Sequence, residues 1–235
     1  MSANAIEVSL VSIDIKICGI HEAEHAKAAA AHGAAYVGFI FFAKSPRNLT
    51  LMEAMRLAPN LPSGPKRVGV FVNADIPFIK ARVEALTLDM IQLHGSEKPA
   101  DVALIKAETG LPVIKALAVS EESDIQKADT YSGIADMILF DAKPPKGAVL
   151  PGGNAVSFPW GILKGKNLPY PWLMAGGLTP ENAAAAIAAS GATALDVSSG
   201  VETEPGKKSS ELIKAFLTAV KGVKESTKLK TVEIP

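Results

Sequence analysis

Cys18 is the only cysteine in the chain, and it stands two residues after Lys16 where an apolar run, residues 11–17, gives way to Gly19 and an Ala-rich stretch. Side chains two apart on a strand share a face, so Lys16 and Cys18 are expected to point the same way. A thiol beside an ammonium ionises more readily than an isolated one and can act as a base. A small buried hydrophobe is the plain alternative for a lone cysteine. Asp141 closes a second apolar run, 137–140, with Lys143 two residues on; a carboxylate there can serve as general acid or base, or cap a loop. Arg47 sits in Ser45-Pro46-Arg47-Asn48, a loop that Pro46 stiffens, where its fork can clamp a carboxylate or face solvent. Two further run ends, Gly176-Gly177 and Asp196-Val197-Ser198-Ser199-Gly200, bring glycines and hydroxyls that let backbone N–H groups approach an anion, a phosphate above all.

One motif points elsewhere. His21-Glu22-Ala23-Glu24-His25 matches the H-E-x-x-H pattern of zinc proteases. Such a site needs a third protein ligand, and His32 lies about 10 Å further along a helix at 1.5 Å per residue. No metal site is expected, and the two histidines read as residues of a solvated helix face.

The elements that position these residues repeat. β-rich runs begin near Val11, Ala35, Arg67, Asp89, Pro112, Ala135, Pro171 and Ala194, most of them about 22 to 24 residues apart, with helical composition between. Several runs are continuously apolar, which implies strands buried on both faces, as in a parallel sheet covered by helices. Eight such units predict a closed α/β fold, a (β/α)8 barrel, over residues 11–222, with a leading segment 1–10 and a polar tail 223–235. Every candidate residue then falls at the carboxyl end of a strand, where barrels gather their chemistry. Thr50 is expected to cap a helix carrying Glu53, and Thr179 one that starts at Pro180.

Composition narrows the partners. The 235 residues carry 24 basic and 24 acidic side chains, a formal charge of zero, and no basic cluster, so nucleic acid is not an expected partner. No apolar run is long enough for a membrane span and no export signal is visible at the amino terminus. A single cysteine excludes an internal disulfide framework. The expectation is a cytoplasmic protein, monomer or homodimer, acting on a small phosphorylated molecule.

Taken together, Lys16-Ile17-Cys18-Gly19, Ser45-Pro46-Arg47, residues 68–73, Gln92-Leu93-His94-Gly95, Phe140-Asp141, residues 176–182 and residues 196–202 closely resemble the phosphoribosylanthranilate isomerases of tryptophan biosynthesis, from about Ile15 to Ala219. The resemblance implies an Amadori rearrangement of N-(5-phosphoribosyl)anthranilate to 1-(2-carboxyphenylamino)-1-deoxyribulose 5-phosphate, needing no metal or redox cofactor. It implies Asp141 as general acid on the ribose ring oxygen, Cys18 as general base at C2, Arg47 as anchor of the anthranilate carboxylate, and the loops with Gly176, Gly177, Asp196, Ser198, Ser199 and Gly200 as phosphate clamp. The departures are local: where Gly-Gly-Thr/Asn-Gly and Phe-Asp-Trp are expected, this chain has Gly152-Gly153-Asn154-Ala155 and Phe158-Pro159-Trp160, which stiffen the sixth loop. Phosphate-binding barrels that use paired aspartates fit less well, because the fifth run, 113–119, ends without a carboxylate. A non-catalytic phosphate binder would have no reason to pair Cys18 with Asp141.

Overall fold

The computed structural model describes residues 13–148 and 150–230, of which 224–230 by backbone alone. Strands β1 Asp14–Cys18, β2 Tyr36–Phe41, β3 Lys66–Phe71, β4 Met90–Leu93, β5 Val113–Val119, β6 Met137–Ala142, β7 Trp172–Met174 and β8 Ala194–Val197 pair in chain order and close on themselves as a parallel barrel. Their starts lie close to the expected ones; Val11 and Ser12, the expected start of the first, lie outside the described residues. Helices α1 Ala23–Ala31, α2 Leu51–Leu57, α3 Ile76–Leu86, α4 Pro99–Thr109, α5 Glu122–Gln126, α6 Ala183–Ser190 and α7 Ser210–Lys230 wrap the outside. α7 runs on through residues 223–230, so part of the polar stretch expected as a tail is helical. Among the described residues no helix is long and apolar enough to cross a membrane.

Strand alternation produces two apolar layers. Ile15, Ile17, Val37, Phe39 and Leu195 face the helices, within the larger core. Tyr36, Val68, Met90, Ile114, Leu139, Leu173 and Ala194 fill the barrel interior. In-register parallel neighbours share a face, so the pairings Lys16↔Tyr36, Lys16↔Asp196 and Cys18↔Gly38 turn Lys16, Cys18 and Asp196 inward. Asp141, two residues past Leu139, is inward by the same rule.

Two expected helical features are absent. Between β6 and β7 there is only a 3-10 turn, Trp160–Leu163, instead of a helix. Residues 143–171 carry Pro144, Pro145, Pro151, Pro159, Pro169 and Pro171, each lacking the N–H that a helix interior requires. Thr179 does not cap a helix starting at Pro180: α6 begins at Ala183 behind Asn182, whose Oδ1 accepts from the Thr179 N–H at 2.8 Å. Thr50 does cap α2, in a reciprocal capping box with Glu53. Beyond β8 lies a hairpin that sequence periodicity did not suggest, β9 Glu202–Glu204 with β10 Lys207–Lys208. It turns at Gly206, φ +87°, where a Cβ would stand 2.7 Å from the Pro46 carbonyl oxygen. A side chain there would separate the hairpin from the Arg47 loop.

Candidate active site

At the carboxyl end of the barrel a pocket opens to solvent, with about 770 Å³ of space counted out past its mouth. Cys18, Arg47, Asp141, Gly176, Gly177, Asp196, Ser198 and Ser199 all line it. Lys16 and Gly200 are not in the wall. Lys16 lies in the floor, fully buried, its Nζ 2.9 Å from Asp196 Oδ1. Gly200 lies behind the eighth loop, where a Cβ would come within 1.8 Å of the Leu178 carbonyl oxygen, so the seventh and eighth loops pack backbone to backbone.

Gly38, on β2, explains how a thiol and an ammonium fit side by side. A Cβ at this position would stand 3.0 Å from both Cys18 Sγ and Lys16 Nζ. The two groups share the space a side chain would take. Their electrostatics differ from the expectation of a ready thiolate. Burial pushes the Cys18 thiol up, Lys16 pulls it down without cancelling that, and Asp196 pushes it up again, so the net direction is upward. Burial also opposes the charge on Lys16, but Asp196 and Cys18 outweigh it and hold the ammonium above its ordinary range. The expected lowering by Lys16 is real but smaller than desolvation, because Asp196 already engages the ammonium.

Arg47 is not the free clamp expected from a loop arginine. It is buried and its fork is closed on Glu202, Nε to Oε1 at 2.7 Å and Nη2 to Oε2 at 2.8 Å. Glu202 also accepts from Lys208 and from the Gly206 N–H. Burial pushes the Glu202 carboxyl up, but Arg47 and Lys208 hold it below its usual range. Lys208 in turn donates to the Ser198 carbonyl oxygen at 3.0 Å, tying the hairpin to the eighth loop. The edge of Arg47 left toward the pocket is Nη1, against Gly153 of the sixth loop, where a Cβ would stand 2.9 Å away.

Asp141 is held from two sides. Its Oδ1 accepts the Ala142 N–H at 2.8 Å, and its Oδ2 lies 3.3 Å from His94 Nε2. Gly152 of the sixth loop covers this pair: a Cβ there would stand 2.4 Å from Oδ2 and 2.7 Å from Nε2. Only glycine lets the loop lie so close. On the seventh loop, Gly176 and Gly177 adopt φ +91° and +66°, conformations that glycine reaches without strain. Asn182 Nδ2 donates to the Gly177 carbonyl oxygen at 2.8 Å and Trp160 Nε1 to that of Gly176 at 3.3 Å. α6 and α7 begin only at Ala183 and Ser210, but a 3-10 turn, Ser199–Val201, starts within the eighth loop itself. The anion donors at the two loops are their own N–H groups and hydroxyls, with the start of that turn beside them.

His94, Gln92, Glu202, Lys208, Gly38 and Gly152 were given no individual role from the sequence. The alternation that singled out Lys16 and Cys18 also puts Gln92 and His94 on one face at the end of β4, so that pair was within reach of the same reasoning. His21 precedes α1 and meets the Gly206 carbonyl oxygen, which removes it from any shared face with His25. The group left, Glu22, Glu24 and His25, has two exposed carboxylates, whereas His25 is buried and does not lie on the solvated face expected for it.

Comparison with known proteins places this arrangement. The sequence model of a family described as N-(5'phosphoribosyl)anthranilate (PRA) isomerase matches residues 15–219. An N-(5'-phosphoribosyl)anthranilate isomerase of Paramagnetospirillum magneticum is 50% identical over 210 residues, 89% of this chain and 98% of that one. One of Paracoccus denitrificans is 50% identical over 207 residues, 88% of this chain and 96% of that one. The crystal structure of phosphoribosyl anthranilate isomerase from Thermotoga maritima superposes with a TM-score of 0.78 at 36% identity, covering 89% of this chain and 99% of that one. A structure of such an enzyme in complex with reduced 1-(o-carboxyphenylamino)-1-deoxyribulose 5-phosphate superposes at 0.77, with 36% identity and the same coverage.

Proposed function

The chain belongs to the N-(5'-phosphoribosyl)anthranilate isomerase family, and from that premise we propose that Cys18 is its general base and Asp141 its general acid. The reaction is the aldose–ketose rearrangement of N-(5-phosphoribosyl)anthranilate in tryptophan biosynthesis. The observation that carries the assignment is geometric. A buried thiol on β1 and a buried carboxylate on β6 face one pocket from separate walls, with two glycine loops beside them.

Asp141 protonates the ribose ring oxygen, the bond from that oxygen to C1 breaks, and the arylamine nitrogen becomes an iminium. Cys18 as thiolate then removes the C2 proton, and the electron pair neutralises the iminium as an enolamine. Ketonisation takes a proton at C1 and releases the one on the C2 hydroxyl. Two protons leave the protein and two return, so no redox or metal chemistry enters these steps. Lys16 and Asp196 hold the thiol in place from below, and Asp196 offers its second oxygen to a ribose hydroxyl. Gly176, Gly177, Ser198 and Ser199 take the phosphate, with Gly200 allowing the two loops to meet. Arg47, oriented by Glu202, presents Nη1 to the anthranilate carboxylate.

Because burial raises the Cys18 thiol, thiolate and protonated acid coexist only in a minor fraction of the protein. That product of fractions is flat between the two ionisations and falls outside them. The rate is therefore expected to hold a broad plateau, its alkaline limb set by Cys18. Asp141→Asn tests the acid: single-turnover ring opening should slow about 10²-fold or more while substrate affinity is kept. An unchanged single-turnover rate removes Asp141 from that role.

The partner reading is a phosphorylated small molecule, in a cytoplasmic protein with one barrel domain, whose bounds the sequence puts at 11–222. The chain is read as a monomer or a homodimer, and the structure of a Thermotoga maritima relative is of monomers generated from a dimeric enzyme.

A further inference from the structure

Asp141 poses a problem for an acid. Its Oδ1 already accepts an N–H from Ala142, and an ordinary aspartate is ionised at neutral pH. The oxygen left for a proton is Oδ2, which faces His94 Nε2 at 3.3 Å under Gly152. On the far side of the ring, His94 Nδ1 lies 2.9 Å from the Gln92 amide nitrogen. The Gln92 Oε1, buried, has no hydrogen-bond partner. An N–H at Gln92 suits a neutral imidazole with a bare Nδ1. Turning the amide about its last bond brings the idle Oε1 to Nδ1, where it accepts the second N–H of an imidazolium. Gln92 can thus serve either protonation state of the ring.

We propose that His94 is a positioning residue that stores the proton Asp141 delivers, shared between Nε2 and Oδ2 and held by Gln92. This rests on the reading of Asp141 as the acid. The imidazolium Nε2–H passes to Oδ2 and from there to the ring oxygen, which leaves Asp141 ionised and His94 neutral with its remaining proton on Nδ1 toward Gln92. The proton released from the C2 hydroxyl on ketonisation restores the pair. The other charged groups around His94 are accounted for. Lys115 on β5 donates to the carbonyls of Leu93 and Gly95, on either side of His94, and is neutralised by Glu97 at 2.8 Å. Arg47, across the mouth, is engaged by Glu202, and Cys18 stands on β1. Among the described residues, Asp141 is the one charged group paired with the imidazole.

The test is the pH profile of kcat in His94→Gln, whose side-chain amide keeps an N–H donor toward Asp141. An imidazole ordinarily protonates two to three units above a carboxylate. Its loss should therefore move the acid limb down by about one unit or more and lower the plateau about tenfold or more. A wild-type limb and plateau in His94→Gln overturn the inference while leaving Asp141 as acid, provided Asp141→Asn is inert. Wild-type turnover in Asp141→Asn overturns both. Inactivity of folded His94→Gln with only a slowed Asp141→Asn makes His94 itself the acid and also overturns it. A second measurement needs no variant at His94: the 15N resonances of its ring should titrate at lower pH in Asp141→Asn than in wild type. Coincident titrations contradict a shared proton.

Discussion

Lys16 and Cys18 leave one strand on one face, and the ammonium is engaged first by Asp196 and only then by the thiol. Strand alternation made the pairing legible; the counter-charge was not, because Asp196 reaches Lys16 across the seam where the barrel closes, 180 residues on. Glu202 meets Arg47 over 155 residues for the same kind of reason. Lys16 still lowers the thiol relative to burial alone. Lys16→Met should therefore push the Cys18 ionisation further up, since it removes the cation that lowers the thiol most, leaving only the weaker pull of Lys208 against the Asp196 charge. The pH dependence of Cys18 alkylation reads this directly, and Lys16→Arg, which keeps the charge, should stay near wild type. An unchanged or lowered ionisation in Lys16→Met would show that Lys16 plays no part in the thiol's chemistry. A buried charge left without its partner also costs about 3–5 kcal/mol of stability, so the comparison is made well below the melting range.

Among the elements, the sixth loop is where this chain departs most from what its relatives led one to expect. Ala155 replaces an expected glycine and adopts φ +56°, a left-handed conformation that costs an L residue about 1–2 kcal/mol. Gly152 and Gly153 in the same loop lie against Asp141, His94 and Arg47. The strain is thus stored in the segment that roofs the site. Ala155→Gly should raise stability by up to about 1 kcal/mol, seen as a higher denaturant midpoint at unchanged slope. Loss of stability in that variant would mean that Ala155 contributes packing that outweighs its backbone cost. Strands were easier to read from the sequence than their connections. Apolar runs locate all eight, whereas the missing sixth helix was hidden in a proline-rich stretch whose residues 160–163 still look helical. The Thr50–Glu53 cap was readable because both partners are local; the hairpin after β8 depends on Gly206 meeting the distant Pro46.

In the whole molecule, closure of β8 on β1 brings together groups from both ends of the chain. Lys16 and Cys18 come from its start, Asp196, Glu202 and Lys208 from its end, and Asp141 with His94 from the middle. The formal charge of zero and the absence of a basic cluster left a small molecule as the expected partner, and the pocket at the barrel mouth is lined by the residues expected to hold one. What the sequence could not convey is the electrostatic state of that mouth, because it depends on burial and on pairs that only the closed barrel creates. The account stands on Cys18 as the base. The decisive measurement is the single-turnover rate of Cys18→Ala with N-(5-phosphoribosyl)anthranilate, alongside substrate affinity by equilibrium binding. The rate should fall about 10²-fold or more with affinity retained; a folded Cys18→Ala protein that isomerises at the wild-type rate would contradict the account.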